Sequence, residues 1–214
     1  MEMEVKEIDE LRKKLQQSCD LLIKKIGKIQ IGTPELFPYG WRKAAKGRTV
    51  WRIVEEIITQ NLEKHHTEFK VDSVNASDSE VTVYDMKCFF GTQEDYINVK
   101  SAVVGGKRQK DDISKAKGLK EFYDEDENRQ FFVATFFIQF NNDMSIEIAK
   151  AVVFPIAWIP DIYVNPSNNG NLQSAYYKDM KDSVKRTNKE FLPLFQKAIE
   201  EANKKKRKKQ QKKK

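Results

Sequence analysis

Three polar side chains interrupt segments that otherwise read as good strands. Asp85 lies in the run VTVYDMKCFF (81–90), and Asn98 and Lys100 lie in DYINVKSAVV (95–104). Side chains alternate across a strand, so Asn98 and Lys100 share one face. Burying such groups without partners costs roughly 2–7 kcal/mol each, and breaches of local rules concentrate at functional sites. The turn Gly91–Thr92–Gln93 joins the two runs as an antiparallel hairpin, which places Asp85 and Lys100 within a few residues of opposition. A metal ion between Asp85 and Asn98, with Lys100 beside it, accounts for all three residues. An ordinary cross-strand ion pair accounts for Asp85 and Lys100 alone. Glu55 and Glu56 sit between apolar positions of a preceding helix and are further candidate ligands. His65 and His66 point to different faces of that helix and have no third ligand at usable spacing. They suit the helix C-terminus by charge instead.

The elements that position these residues follow from periodicity. Val5, Ile8, Leu11, Leu15, Leu22, Ile26 and Ile29 predict an amphipathic helix over 4–29, stopped by Gly27, Gly32, Pro34 and Pro38. Val50, Ile53, Val54, Ile57, Ile58 and Leu62 predict a second helix over about 49–64. Phe69, Val71 and Val74 suggest a short strand, and the two runs above follow as a hairpin. The spacing then predicts a helix at about 111–123 and a buried strand, QFFVATFFIQF, at 130–140. Another strand follows from Met144, then a polar Asn-rich loop at 161–175, and a last helix over about 176–203. This order predicts an α/β (α+β) fold with a central mixed five-stranded sheet flanked by helices.

A helix bearing Glu, then Asp on one strand and x-x-Lys on the next, then a helix and a further strand, resembles the PD-(D/E)xK nuclease superfamily. The pair YDMKCFF and DYINVKSAV is similar to the catalytic hairpin of small members, and the flanking helices resemble type II restriction endonucleases. The likeness covers roughly residues 45–200. Tyr84 stands where the family has Pro, and Asn98 stands at the middle acidic position. The resemblance implies a restriction-endonuclease-like core and a Mg²⁺-dependent, sequence-specific endonuclease that cuts both strands of DNA as a homodimer. Asp85 would then be the principal metal ligand. Asn98 would bind through its carbonyl, with Glu55, Glu56 or a backbone carbonyl supplying the missing charge. Lys100 would orient or deprotonate the attacking water, or neutralise phosphate charge. The helix at 4–29 or the last helix would form the dimer interface.

Phosphate contacts are expected from two basic loops, Arg42, Lys43, Lys46 and Arg48 in one, and Lys107, Arg108 and Lys110 in the other. Asn168, Asn169, Asn171 and Gln173 can hydrogen-bond adenine edges in the major groove, which suggests an A·T-containing site. Of the 39 basic residues nine fall in 204–214, which leaves 30 against 32 acidic residues over 1–203, a net of −2. The body is thus not a general polyanion binder. We read 1–203 as a single nuclease domain and 204–214 as a disordered lysine-rich tail. The chain of 214 residues, with 33% charged and 39% hydrophobic side chains, has no apolar run long enough to span a membrane. Its first residues, MEMEVKEIDELRKK, carry no apolar signal segment. Cys19 and Cys88 fit no C-x-x-C pattern, so a reducing cytoplasm is expected. Two alternatives remain: a structure-specific or repair nuclease of the same fold, and a non-catalytic nucleic-acid-binding protein.

Overall fold

A computed structural model describes residues 3–42, 47–77, 79, 82–167 and 170–211, with backbone only at 47 and 48. Helix α1 (Val5–Ile26) buries Ile8, Leu11, Leu15, Cys19 and Leu22 on one face, as the three- and four-residue spacing dictates. Gly27 ends it at φ +61°, a conformation that glycine adopts without strain. The reversal lets strand β1 (Lys28–Gln30) add to the edge of the main sheet. Helix α2 (Gly47–His65) and a 3-10 turn (His66–Phe69) lead to β2 (Ser73–Ala76), β3 (Met86–Phe90) and β4 (Gln93–Val103). Then come β5 (Asp111–Lys115), α3 (Ala116–Glu125), β6 (Gln130–Phe140) and β7 (Ser145–Pro155). Short strands β8 (Tyr163–Val164) and β9 (Asn171–Ser174) precede the long helix α4 (Asn188–Gln211).

The fold is mixed α+β. The main sheet has six strands, in the order β1-β7-β6-β4-β3-β2, rather than the five expected. The additional strand is β1. Among the described residues only β4 and β6 run parallel, joined by a crossover through β5 and α3. Strand β6 lies at the middle and is buried along nearly its whole length, which explains its continuous apolar reading. Leu15, Cys19 and Leu62 meet Met86, Cys88, Ile97 and Val99 on one face. The other face carries Tyr96 and Phe131 against Phe122 of α3, with ring centroids 4.7 and 5.5 Å apart. Phe191 and Phe195 of α4 extend that layer. A second sheet, β5-β9-β8, is antiparallel and three-stranded.

Four expectations are corrected. The strand expected at 81–90 begins only at Met86; Thr82 Oγ1 has Ser79 O at 2.8 Å and Tyr84 O at 2.9 Å as alternative acceptors, a local bond that competes with the ladder. The helix expected at 111–123 is β5 followed by α3, since residues 111–115 pair with β9. The last helix starts at Asn188 rather than near 176, where Glu190 accepts from the backbone N–H of Thr187 at 2.8 Å. Residues 204–211, expected as disordered tail, continue α4 as helix. Lysine, arginine and glutamine are good helix formers, and cations suit a helix C-terminus. Among the described residues no helix is long and apolar enough to cross a membrane.

Candidate active site

The site forms where β3 parts from β4. Met86 pairs with Ile97, and β3 goes no further, so among the described residues β4 from Asn98 onward has no strand neighbour on that side. Asp85 caps the break: its N–H donates to Ile97 O at 2.8 Å, and its Oδ2 accepts from the Val99 N–H at 2.6 Å. One otherwise orphaned backbone donor is thereby satisfied. Asn98 donates from Nδ2 to Val83 O at 2.9 Å, which ties the 82–85 segment to the open strand. Gly118 of α3 makes this approach possible, because a Cβ there would stand 2.9 Å from Val83 Cγ1.

Helix α2 brings Glu55 to the same place. Its carboxyl lies close enough to that of Asp85 for the two to act on each other. Burial first, and then the Asp85 charge, push Glu55 up to about 7. Burial likewise raises Asp85, although the Val99 N–H and Lys100 pull the other way. Burial pulls Lys100 below the ordinary ammonium range against the opposing charges of Asp85 and Glu55. Two buried oxygens here have no hydrogen-bond partner among the described residues, Glu55 Oε2 and Asn98 Oδ1. Arg52 Nη1 lies 3.7 Å from that Glu55 oxygen, and its guanidinium rests 4.1 Å over the Trp51 ring.

Of the candidate residues, Asp85, Asn98, Lys100 and Glu55 therefore come together. Glu56 does not join them, because successive helical residues diverge by about 100°. It is exposed, and its Oε2 accepts from Gln60 at 2.9 Å. Among the described residues no three His, Cys, Asp or Glu side chains could hold a metal ion together. The donors at the break are two carboxylates and one amide oxygen. This all-oxygen set, with Asn98 Oδ1 unpartnered among the described residues and Glu55 Oε2 in a long ion pair with Arg52, fits a hard cation such as Mg²⁺.

A cleft of about 1560 Å³ opens over the site. That exceeds the roughly 300–1,000 Å³ of small-molecule pockets. Lys107 and Arg108 line it. Arg108, however, is committed to Asp179 at 2.8 Å, Asp182 at 3.0 Å and the Tyr176 ring at 4.5 Å. Lys110 rests 4.3 Å over Tyr163 and lies 3.8 Å from Asp161. Arg42 stacks 4.0 Å over Tyr39 and does not line the cleft. The amides of Asn171 and Gln173, expected to read bases, donate to Asp112 at 2.9 and 2.6 Å. One N–H of each amide is thus engaged by a carboxylate. Lys43, Lys46, Asn168, Asn169 and the side chain of Arg48 lie outside the described residues.

Sequence reasoning missed Arg52, Lys115, Lys150 and Lys181, which also line the cleft. Arg52 was findable, three residues before Glu55 and so on the same helix face. Lys115 was hidden by reading 111–115 as helix. No protein-family model matches the chain, and no curated protein matches it.

Proposed function

We propose that this chain is a Mg²⁺-dependent endonuclease acting on double-stranded DNA, with a core like that of type II restriction endonucleases. One observation carries the reading: two carboxyls, an amide oxygen and a buried ammonium converge on the open edge of β4, at the floor of a macromolecule-sized cleft. Glu55, Asp85 and the Asn98 carbonyl are the residues that would hold the cation. When bound, Mg²⁺ supplies positive charge for the transferring phosphoryl group and lowers the pKa of a nearby water. Asp85 is held for its role by the Val99 N–H. Glu55 must give up its proton to act as a ligand. Lys100, with its basicity reduced by burial, orients or deprotonates the attacking water or balances phosphate charge. Lys107, Lys115, Lys150 and Lys181 face the cleft and make no ion pair among the described residues, which suits the phosphate backbone. Cutting both strands at a two-fold site calls for a homodimer.

The occupied amides of Asn171 and Gln173 favour a second reading, a structure-specific nuclease of the same fold. Incubating phage DNA with the protein and Mg²⁺ separates the two. Discrete fragments support a restriction enzyme. A smear, or cutting confined to branched DNA, supports the second reading. No turnover with any divalent metal removes both.

A further inference from the structure

The lysine-rich end of α4 is a second charged surface, apart from the cleft. Ala202 is the last buried residue of the helix, and residues 203–211 are all exposed. Nine helical residues project by about 13 Å at 1.5 Å each. Six consecutive cations, Lys204, Lys205, Lys206, Arg207, Lys208 and Lys209, occupy this projection. Among the described residues none of them pairs with a carboxylate. Lys209 Nζ instead donates to Ser167 Oγ at 3.1 Å. That contact ties the arm to the β8–β9 loop, and β9 in turn pairs with β5, which lines the cleft.

The helix matters to what this charge can do. Held as helix, the roughly three cations on one face recur about every 3 Å along the axis, while one strand of duplex DNA carries a negative charge per ~3.4 Å. The two spacings are close. Cations at three- and four-residue spacing also repel one another, and a polyanion relieves that repulsion. An amphipathic membrane helix needs an apolar face. Residues 203–211 contain only Asn, Lys, Arg and Gln, so there is none.

We propose that the C-terminal segment of α4 is a rigid cationic arm that docks on the phosphate backbone of duplex nucleic acid beside the cleft. The choice of nucleic acid as the polyanion rests on the reading above. The arm requires neither metal nor hydrolysis.

The test compares the full chain with a variant carrying Gln at all six cationic positions. Glutamine matches lysine in helix propensity, so α4 is retained, which circular dichroism checks. Binding to a 30-base-pair duplex is measured in EDTA between 50 and 200 mM salt. About three of the six cations can face one duplex at a time. The plot of log affinity against log salt should therefore be shallower by about 2.7 in the variant. The full chain would lose about 40-fold more affinity than the variant across that range. A chain truncated before Lys204, which loses Lys212, Lys213 and Lys214 as well, should have a slope at least as shallow as the variant's. Equal slopes overturn the proposal. So does tighter binding of the full chain to phosphatidylserine vesicles than to the duplex at equal salt, if the six substitutions abolish it. Because EDTA prevents turnover, an inactive protein that shows the slope change keeps the arm and loses only the nuclease reading.

Discussion

Replacing Glu55 by Gln separates the cost of the site from its use. The Glu55 carboxyl is held up to about 7 in the folded chain, against an ordinary 4.5. The folded state therefore binds a proton that the unfolded chain releases, and stability falls as pH rises from 4.5 to 7. Two and a half pH units correspond to about 3.4 kcal/mol. The side chain keeps 17% exposure, so solvent screening reduces this to about 2–3 kcal/mol. Glu55→Gln has no proton to lose. At pH 4.5 the two proteins should melt together. At pH 8 the variant should melt about 5–10 °C higher, at the 2–4 °C per kcal/mol typical of this size. Mg²⁺ then reports on function. Saturation at a hundred times Kd stabilises by about 2.7 kcal/mol, so the native chain should recover most of the difference at pH 8 while Glu55→Gln stays put. Thermal melts followed by circular dichroism, with and without Mg²⁺, read all four values. Parallel melting curves across pH would remove the buried-carboxyl account. A Mg²⁺ shift that persists in Glu55→Gln would place the cation elsewhere.

Lys100→Ala should lower the cleavage rate by about 10²–10⁴ while leaving duplex binding in EDTA intact; an active variant would remove the lysine from the chemistry. Asn98→Asp loses the donor to Val83 O and adds a charge beside Asp85. Without metal it should be less stable by about 1–3 kcal/mol, and it should need less Mg²⁺ for half-maximal cleavage; an unchanged Mg²⁺ titration would assign the third ligand elsewhere. Asp95 is fully buried, with Oδ1 accepting from Gln93 at 2.9 Å and Oδ2 without a partner, and burial pushes it up to about 7 from 3.8. The same sign applies, so Asp95→Asn should remove up to about 4 kcal/mol of destabilisation at pH 8 and nothing at pH 4. Urea midpoints across pH measure this, and a gain independent of pH would mean that packing, not ionisation, sets the cost.

What could be read in advance, and what could not, divides along one physical line. Strand β6 is sandwiched between two layers, so its burial is written as a continuous apolar run, and its expected bounds match Gln130–Phe140. Asp85, Asn98 and Lys100 stood out because each breaks the apolar pattern of the run around it, a local signal. The misses are non-local. Nothing in residues 111–115 announces pairing with β9 more than fifty residues away, and the pull of Thr82 on its neighbours depends on how that turn closes. Helical periodicity places Glu55 and Glu56 side by side, but only the position of α2 over the break in β4 decides which of them meets Asp85. The amides of Asn171 and Gln173 looked available to bases because their partner, Asp112, lies on another strand. A site made of groups that cost stability where they stand is legible from its strands. The surface that must recognise a substrate depends on which donors the fold leaves unspent, and that is settled only when distant strands meet.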